Sequence, residues 1–164
     1  MLTDEQKKNL KLMAEAAVAS EKATGCPAEV SVAQCILESG WLKVAPGNNC
    51  FGIKDTDRYP GAQYLLTKEY INGEWQTLRL AFEAYPTLAD CFTDHARLIT
   101  GGFIPSKKNC YAAAFEAYKL RRDMDEFIRG IAKHYATAPT YADQIIQLAH
   151  AKYVVEAVAA AREA

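Results

Sequence analysis

The dipeptide Asn72-Gly73 constrains this chain more than any other pair of residues. Both residues accept positive φ, which a type I′ hairpin turn requires at its two central positions. Runs of strand-forming composition flank it, Ala62 to Ile71 and Glu74 to Tyr85, rich in Leu, Thr and Tyr. A two-residue turn pairs Ile71 with Glu74, Tyr70 with Trp75, and Glu69 with Gln76. One face then carries Leu65, Thr67, Glu69 and Ile71 beside Leu78 and Leu80. The other carries Tyr64, Leu66, Lys68 and Tyr70 beside Trp75 and Thr77. A slip of one residue would exchange the faces.

Outside this hairpin the chain reads as helix and loop. Thr3 with Gln6 forms a capping box, and Leu10, Met13, Ala14, Ala17 and Val18 follow at helical spacing. Gly25 and Pro27 stop that helix, and Pro27 opens a second in its first turn. Val32, Ala33, Ile36 and Leu37 form the second apolar stripe, ended by Ser39-Gly40. Residues 42–62 are rich in Gly, Pro, Asn and Asp, which is loop chemistry. Helix resumes at Thr87, with Leu88, Phe92, His95, Leu98 and Ile99 inward, and stops at Gly101-Gly102. Asn109 caps a helix over Tyr111 to Leu120, and Asp123 with Glu126 starts one carrying Phe127, Ile128, Ile131 and Tyr135. Pro139-Thr140 opens the last, with Ile145, Ile146, Leu148 and Ala149 inward, and the tail from Val154 to Ala164 continues it or frays. The expectation is an α+β, mainly α fold. One domain spans residues 1–164, with a β-hairpin lobe at about 62–85 inserted after the second helix.

Composition removes several classes of function. A length of 164 residues suits one domain with its own core. The formal net charge is -1, and the 19 Lys and Arg are scattered, with short runs at Lys7-Lys8, Lys107-Lys108 and Arg121-Arg122. Nucleic-acid binders gather such charge on one face, so no nucleic-acid partner is expected. The five cysteines, Cys26, Cys35, Cys50, Cys91 and Cys110, form no C-x-x-C pair; buried free thiols are the default, with one or two disulfides the alternative. His95, His134 and His150 are too far apart for an H-E-x-x-H site, and no phosphate or dinucleotide loop occurs. Neither a metal nor a cofactor is expected. His95 sits on an apolar stripe and reads as a core histidine. No basic, apolar leader and no run of membrane-spanning length is present, so no membrane insertion is expected.

Glu38 is the sharpest chemical candidate. It lies in the last turn before Gly40, facing the negative end of the helix dipole. Partial burial beside Ile36, Leu37 or Trp41 would add to the penalty on its charged form. Both effects raise the pKa, as a general acid working near neutral pH requires. An exposed helix-end glutamate is the alternative.

The local string decides between them. Ala33-Gln34-Cys35-Ile36-Leu37-Glu38-Ser39-Gly40-Trp41 resembles the helix-end signature of glycoside hydrolase family 73. Asn48-Asn49-Cys50-Phe51-Gly52-Ile53-Lys54 is similar to that family's Asn-Leu-Phe-Gly-Ile-Lys, and Thr67-Lys68-Glu69-Tyr70 to its Thr-x-Glu-Tyr strand. Phe82, Tyr85 and Asp90 match the hairpin end and the helix after it. Tyr135-Ala136-Thr137-Ala138-Pro139-x-Tyr141-Ala142 matches Tyr-Ala-Thr-Asp-Pro-x-Tyr-Ala. The pieces keep the family's order over about residues 28–150. Ala138 departs from the usual Asp, and Cys50 replaces an apolar residue.

The resemblance implies a lysozyme-like fold and hydrolysis of the β-1,4 bond after N-acetylglucosamine in peptidoglycan. By motif position Glu38 is the general acid. Glu69 is the second carboxylate, activating water or stabilising the oxocarbenium-like charge. Asp55, Asp57 and Glu83 are fallbacks for that role. An inverting route needs carboxylates about 6.5–9.5 Å apart, a retaining one about 5–5.5 Å. The sugar's 2-acetamido group is a third route. Tyr135 and Tyr141 match cleft tyrosines, with Tyr135 expected near the reaction centre. Trp41 and Phe51 offer sugar platforms or pack the core, and Asn49 binds sugar or makes a turn. The rival readings are a lytic transglycosylase or muramidase on the same fold, and a non-catalytic glycan-binding module. The expected partner is the peptidoglycan glycan strand, met by a monomer. The expected setting is periplasm or cell wall, reached after release as a phage lysin or a secreted effector.

Overall fold

The computed structural model describes residues 1–55, 61–101, 110–136 and 138–164. Asp57, Gly102, Lys107-Lys108, Asn109 and Thr137 lie outside the described residues. The elements run α1 (Asp4–Thr24), α2 (Ala28–Ser39), a 3-10 turn (Pro46–Asn48), β1 (Ala62–Ile71), β2 (Glu74–Glu83), α3 (Leu88–Gly101), α4 (Ala112–Arg121), α5 (Met124–Tyr135), α6 (Tyr141–Ala149) and α7 (Lys152–Glu163).

Local chemistry accounts for the ends of these helices. Thr3 and Gln6 close the capping box on α1, and Gly25 terminates it in the left-handed region at φ 81°. Pro27 caps α2 and offers no side-chain oxygen. Glu21 of α1 supplies one instead, accepting from the Ala28 N–H at 2.8 Å. The Glu21 carboxylate also pairs with Arg162 at 2.8 Å, and Arg162 reaches Glu29 at 2.8 Å. One guanidinium on α7 thereby ties α1 to α2. Burial alone would raise the Glu21 pKa, but Arg162 and the Ala28 N–H together hold it below the ordinary value.

Two apolar clusters share α2. Val32, Cys35 and Ile36 pack with α1, α3 and α7 around Met13, Ala17, Phe92, Val154 and Val158. Val30 and Ala33 pack on the other side with α4, α5 and α6 around Tyr111, Phe127, Ile131 and Ile145. The tail is helical, but as a separate α7 rather than an extension of α6. Ala151 is extended, at φ -60° and ψ 134°, and the turn there sends α7 back so that Val154 and Val158 are buried. Cys26, Cys35, Cys50 and Cys91 are buried free thiols, and Cys110 is a partly exposed one.

The hairpin has the expected register, with Ile71 opposite Glu74, Tyr70 opposite Trp75 and Glu69 opposite Gln76. Leu65, Thr67 and Glu69 are half-buried, whereas Leu66 is 74% exposed and Trp75 is 72% exposed on the other face. The base of the hairpin is clamped. Glu83 N–H donates to the Ile53 carbonyl at 2.9 Å, and Asp55 N–H to the Ala81 carbonyl at 3.0 Å. Asn49 is buried and completes the clamp. Its Nδ2 donates to the carbonyls of Ile53 (2.9 Å) and Glu83 (3.0 Å), and its Oδ1 accepts from Ile53 N–H (3.1 Å). Asn49→Ala should strip these bonds and destabilise the protein by about 2–4 kcal/mol, read from urea unfolding. Unchanged stability would show that the clamp is dispensable.

Candidate active site

The last turn of α2 sets the site. The rest of the helix is largely buried, and Glu38 is among the residues that emerge. Gly40 ends the helix at φ 58°, with its N–H on the Ile36 carbonyl. Ser39 Oγ donates to the Cys35 carbonyl at 2.6 Å and accepts from Leu42 N–H at 2.9 Å. Trp41 and Leu42 continue in the left-handed region, at φ 64° and 66°, so the chain turns sharply away from the Glu38 carboxyl.

Glu38 lines a cleft of about 930 Å³. The opposite wall comes from α5 and its link to α6, including Arg129, Lys133, His134, Tyr135 and Ala138. The Glu38 residue is open to this space, yet protein around its carboxyl removes enough water to raise its pKa above the ordinary 4.5. No hydrogen bond from the described residues offsets that cost. Such a carboxyl holds a proton to higher pH than a free one and has a cleft into which to deliver it.

Tyr135 stands on the facing wall and is held from behind. Its hydroxyl meets His95 Nε2 at 3.3 Å, and its ring stacks on Tyr141 with centroids 5.5 Å apart. Tyr141 in turn accepts from Gln34 Nε2 at 2.9 Å. Gln34 lies one helical turn before Glu38, so α2 orients both Glu38 and the tyrosine pair. His95 is buried, stacked on Phe51 at 3.7 Å, and burial drives its pKa down to about 3. It is a neutral imidazole at working pH. Burial, then the neighbouring Tyr141 and Glu38, raise the Tyr135 pKa well above its usual value, so the phenol keeps its proton.

The remaining candidates are placed elsewhere. Glu69 sits on the half-buried face of the hairpin, paired with Lys54 at 3.3 Å, and does not line the Glu38 cleft. Phe51 is a core residue, stacked on His95 and edge-on to Phe92 at 5.1 Å. Trp41 is partly buried against Tyr153, ring centroids 5.6 Å apart. Asn49 spends its amide on the hairpin clamp. Of the fallbacks, Glu83 is fully buried and Asp55 is partly exposed. Among the described residues no group of three His, Cys, Asp or Glu could hold a metal ion, and no helix is long and apolar enough to cross a membrane. Gln34, His95, Arg129 and Lys133 were missed as site residues. The signal for Gln34 was its spacing of four from Glu38; Arg129 and Lys133 are likewise four apart on α5.

The state of His95 has a measurable consequence. The folded chain resists a proton that the unfolded chain accepts near 6.5, while its own value is about 3. Stability from this group is therefore fully present above about pH 7 and is lost progressively as pH falls toward 3. His95→Gln should flatten the acid side of the stability curve, measured by urea unfolding between about pH 7 and pH 4. An unchanged slope would mean that His95 titrates normally.

Known proteins resemble this chain in sequence and in fold. Residues 14–153 match the Glucosaminidase family, described as mannosyl-glycoprotein endo-beta-N-acetylglucosaminidase. An autolysin of Enterococcus faecalis is 36% identical over 120 residues, covering 70% of this chain and 16% of that protein. The peptidoglycan hydrolase FlgJ of Pseudomonas aeruginosa is 34% identical over 146 residues, covering 84% of this chain and 34% of that one. The chain thus spans between 16% and 34% of the length of these relatives. The catalytic domain of the autolysin Auto from Listeria monocytogenes superposes with a TM-score of 0.80 at 22% identity, over 96% of this chain and 89% of that one. That likeness bears out the lysozyme-like fold. With the match covering most of its length, the chain belongs to the glucosaminidase family.

Proposed function

We propose that this protein hydrolyses the β-1,4 bond after N-acetylglucosamine in peptidoglycan, with Glu38 as the general acid. The observation that carries the reading is a carboxyl with a raised pKa on one wall of an open cleft, facing a protonated Tyr135 on the other. The names of the relatives support the substrate, since one is a peptidoglycan hydrolase and two are autolysins.

In this reading Glu38 gives its proton to the glycosidic oxygen as the C–O bond breaks. Positive charge develops at the anomeric carbon and ring oxygen. Tyr135 donates a hydrogen bond to the acetamido group or to the incoming water and holds it in line. Glu69 is the second carboxylate. It acts when a glycan strand spans the space from the helical wall to the hairpin, where Lys54 holds it in the free enzyme. The site of action is the wall, where that polymer lies.

Glu38→Gln tests the assignment on purified peptidoglycan. The variant should keep the wild-type circular dichroism and be at least as stable at neutral pH, because a desolvated charge is gone. Its kcat should fall about 10²–10⁴-fold, the usual contribution of a general acid. Glu69→Gln should lose a smaller but large share. Wild-type hydrolysis by the Glu38 variant would remove Glu38 from the mechanism. Products ending in anhydromuramic acid, rather than reducing N-acetylglucosamine, would make the protein a transglycosylase.

A further inference from the structure

The wall opposite Glu38 carries charge that the cleavage step does not use. Arg129 and Lys133 lie four residues apart on α5, both exposed, and both line the same cleft as Glu38. Residues at this spacing are neighbours about 5–6 Å apart, and like charges there destabilise a helix. Elsewhere the chain uses the same spacing for opposite charges, as in Lys11 with Glu15 and Lys152 with Glu156. Asp125, one turn before Arg129, is engaged by His150 at 2.6 Å. Neither Arg129 nor Lys133 has a hydrogen bond or ion pair among the described residues. Ala138, where the family motif has Asp, lines the cleft and brings no carboxylate.

We infer that Arg129 and Lys133 form a carboxylate-recognising subsite, which binds the anionic groups carried by the glycan strand beside the bond to be cut. The inference rests on the peptidoglycan reading and names what that cleft recognises beyond the sugar rings. A neutral glycan gives these two cations nothing to pair with. Peptidoglycan does, because its stem peptides end in carboxylates, and removal of a stem exposes the lactyl carboxylate of the muramic sugar. Arg offers a planar fork that takes a carboxylate through two parallel hydrogen bonds, and Lys adds a point charge. Both cations lie in an open cleft, so their attraction is screened and depends on salt.

The test uses the folded Glu38→Gln protein and soluble glycan strands in three forms: with stems intact, with stem carboxyls amidated by carbodiimide and ammonia, and with stems removed enzymatically. Binding is followed by calorimetry. Intact strands should bind about ten-fold more tightly than amidated ones, and added salt should erase the difference. Adding Arg129→Gln and Lys133→Gln to that protein should weaken binding of intact strands to the amidated level and leave amidated strands unaffected. Tight binding of stem-stripped strands extends the subsite to the lactyl carboxylate as well, and weak binding confines it to the carboxylates of the stem. In the active enzyme the same pair of substitutions should raise KM about ten-fold on intact strands, with kcat changing less than two-fold. Equal binding of intact and amidated strands, or equal weakening of both by the substitutions, overturns the inference. Selective binding by a wild-type protein that cuts no strand would leave the subsite standing and remove the hydrolase reading.

Discussion

The site depends on α2 being packed on both sides. Its residues feed two separate apolar clusters, one with α1, α3 and α7, the other with α4, α5 and α6. A helix held in this way cannot rotate without unpacking Val32 and Ile36 from one cluster or Val30 and Ala33 from the other. Each buried Val or Ile side chain among them contributes about 1.5–3 kcal/mol. That packing fixes where the last turn ends, and so where the Glu38 carboxyl points. Glu21 and Arg162 secure the opposite end, supplying the cap that Pro27 lacks.

A chain of polar contacts crosses from this helix to the other wall. Gln34 holds Tyr141, Tyr141 stacks on Tyr135, and Tyr135 meets His95. His95 is neutral because it is buried, and it rests on Phe51, which packs on Phe92. Phe51, which offers a flat ring, therefore sits one layer back, behind His95. It helps to place Tyr135, and Tyr135 lines the same cleft as Glu38. The polar atoms left over, Gln34 Oε1 and His95 Nδ1, have no partner among the described residues. Retaining them costs stability, which fits a region kept for geometry.

Features set by neighbouring residues were legible in the sequence. Asn72-Gly73 fixed the hairpin register, Thr3 and Gln6 the start of α1, Gly40 the end of α2, and Asp123 the start of α5. Glu38 was legible too, because its position at a helix end is itself local. What stayed open depends on long-range partners. Asn49 read equally as a sugar ligand or a turn residue, since the carbonyl of Glu83 lies 34 residues away. Phe51 read as a sugar platform or as a core residue, because its stacking on His95 cannot be seen from either residue alone. The link between Tyr135 and His95 spans 40 residues. The separate α7 was missed because the break at Ala151 carries neither Gly nor Pro, and only docking on α1 reveals it.

A carbon-13 NMR titration of the glutamate carboxyls tests the central physical claim without substrate. The account predicts that the Glu38 resonance titrates with a midpoint above the ordinary 4.5, because protein shields that carboxyl while no donor among the described residues compensates. A midpoint at or below that value would show a fully hydrated carboxylate at the end of α2, and the proton donor would have to be sought elsewhere.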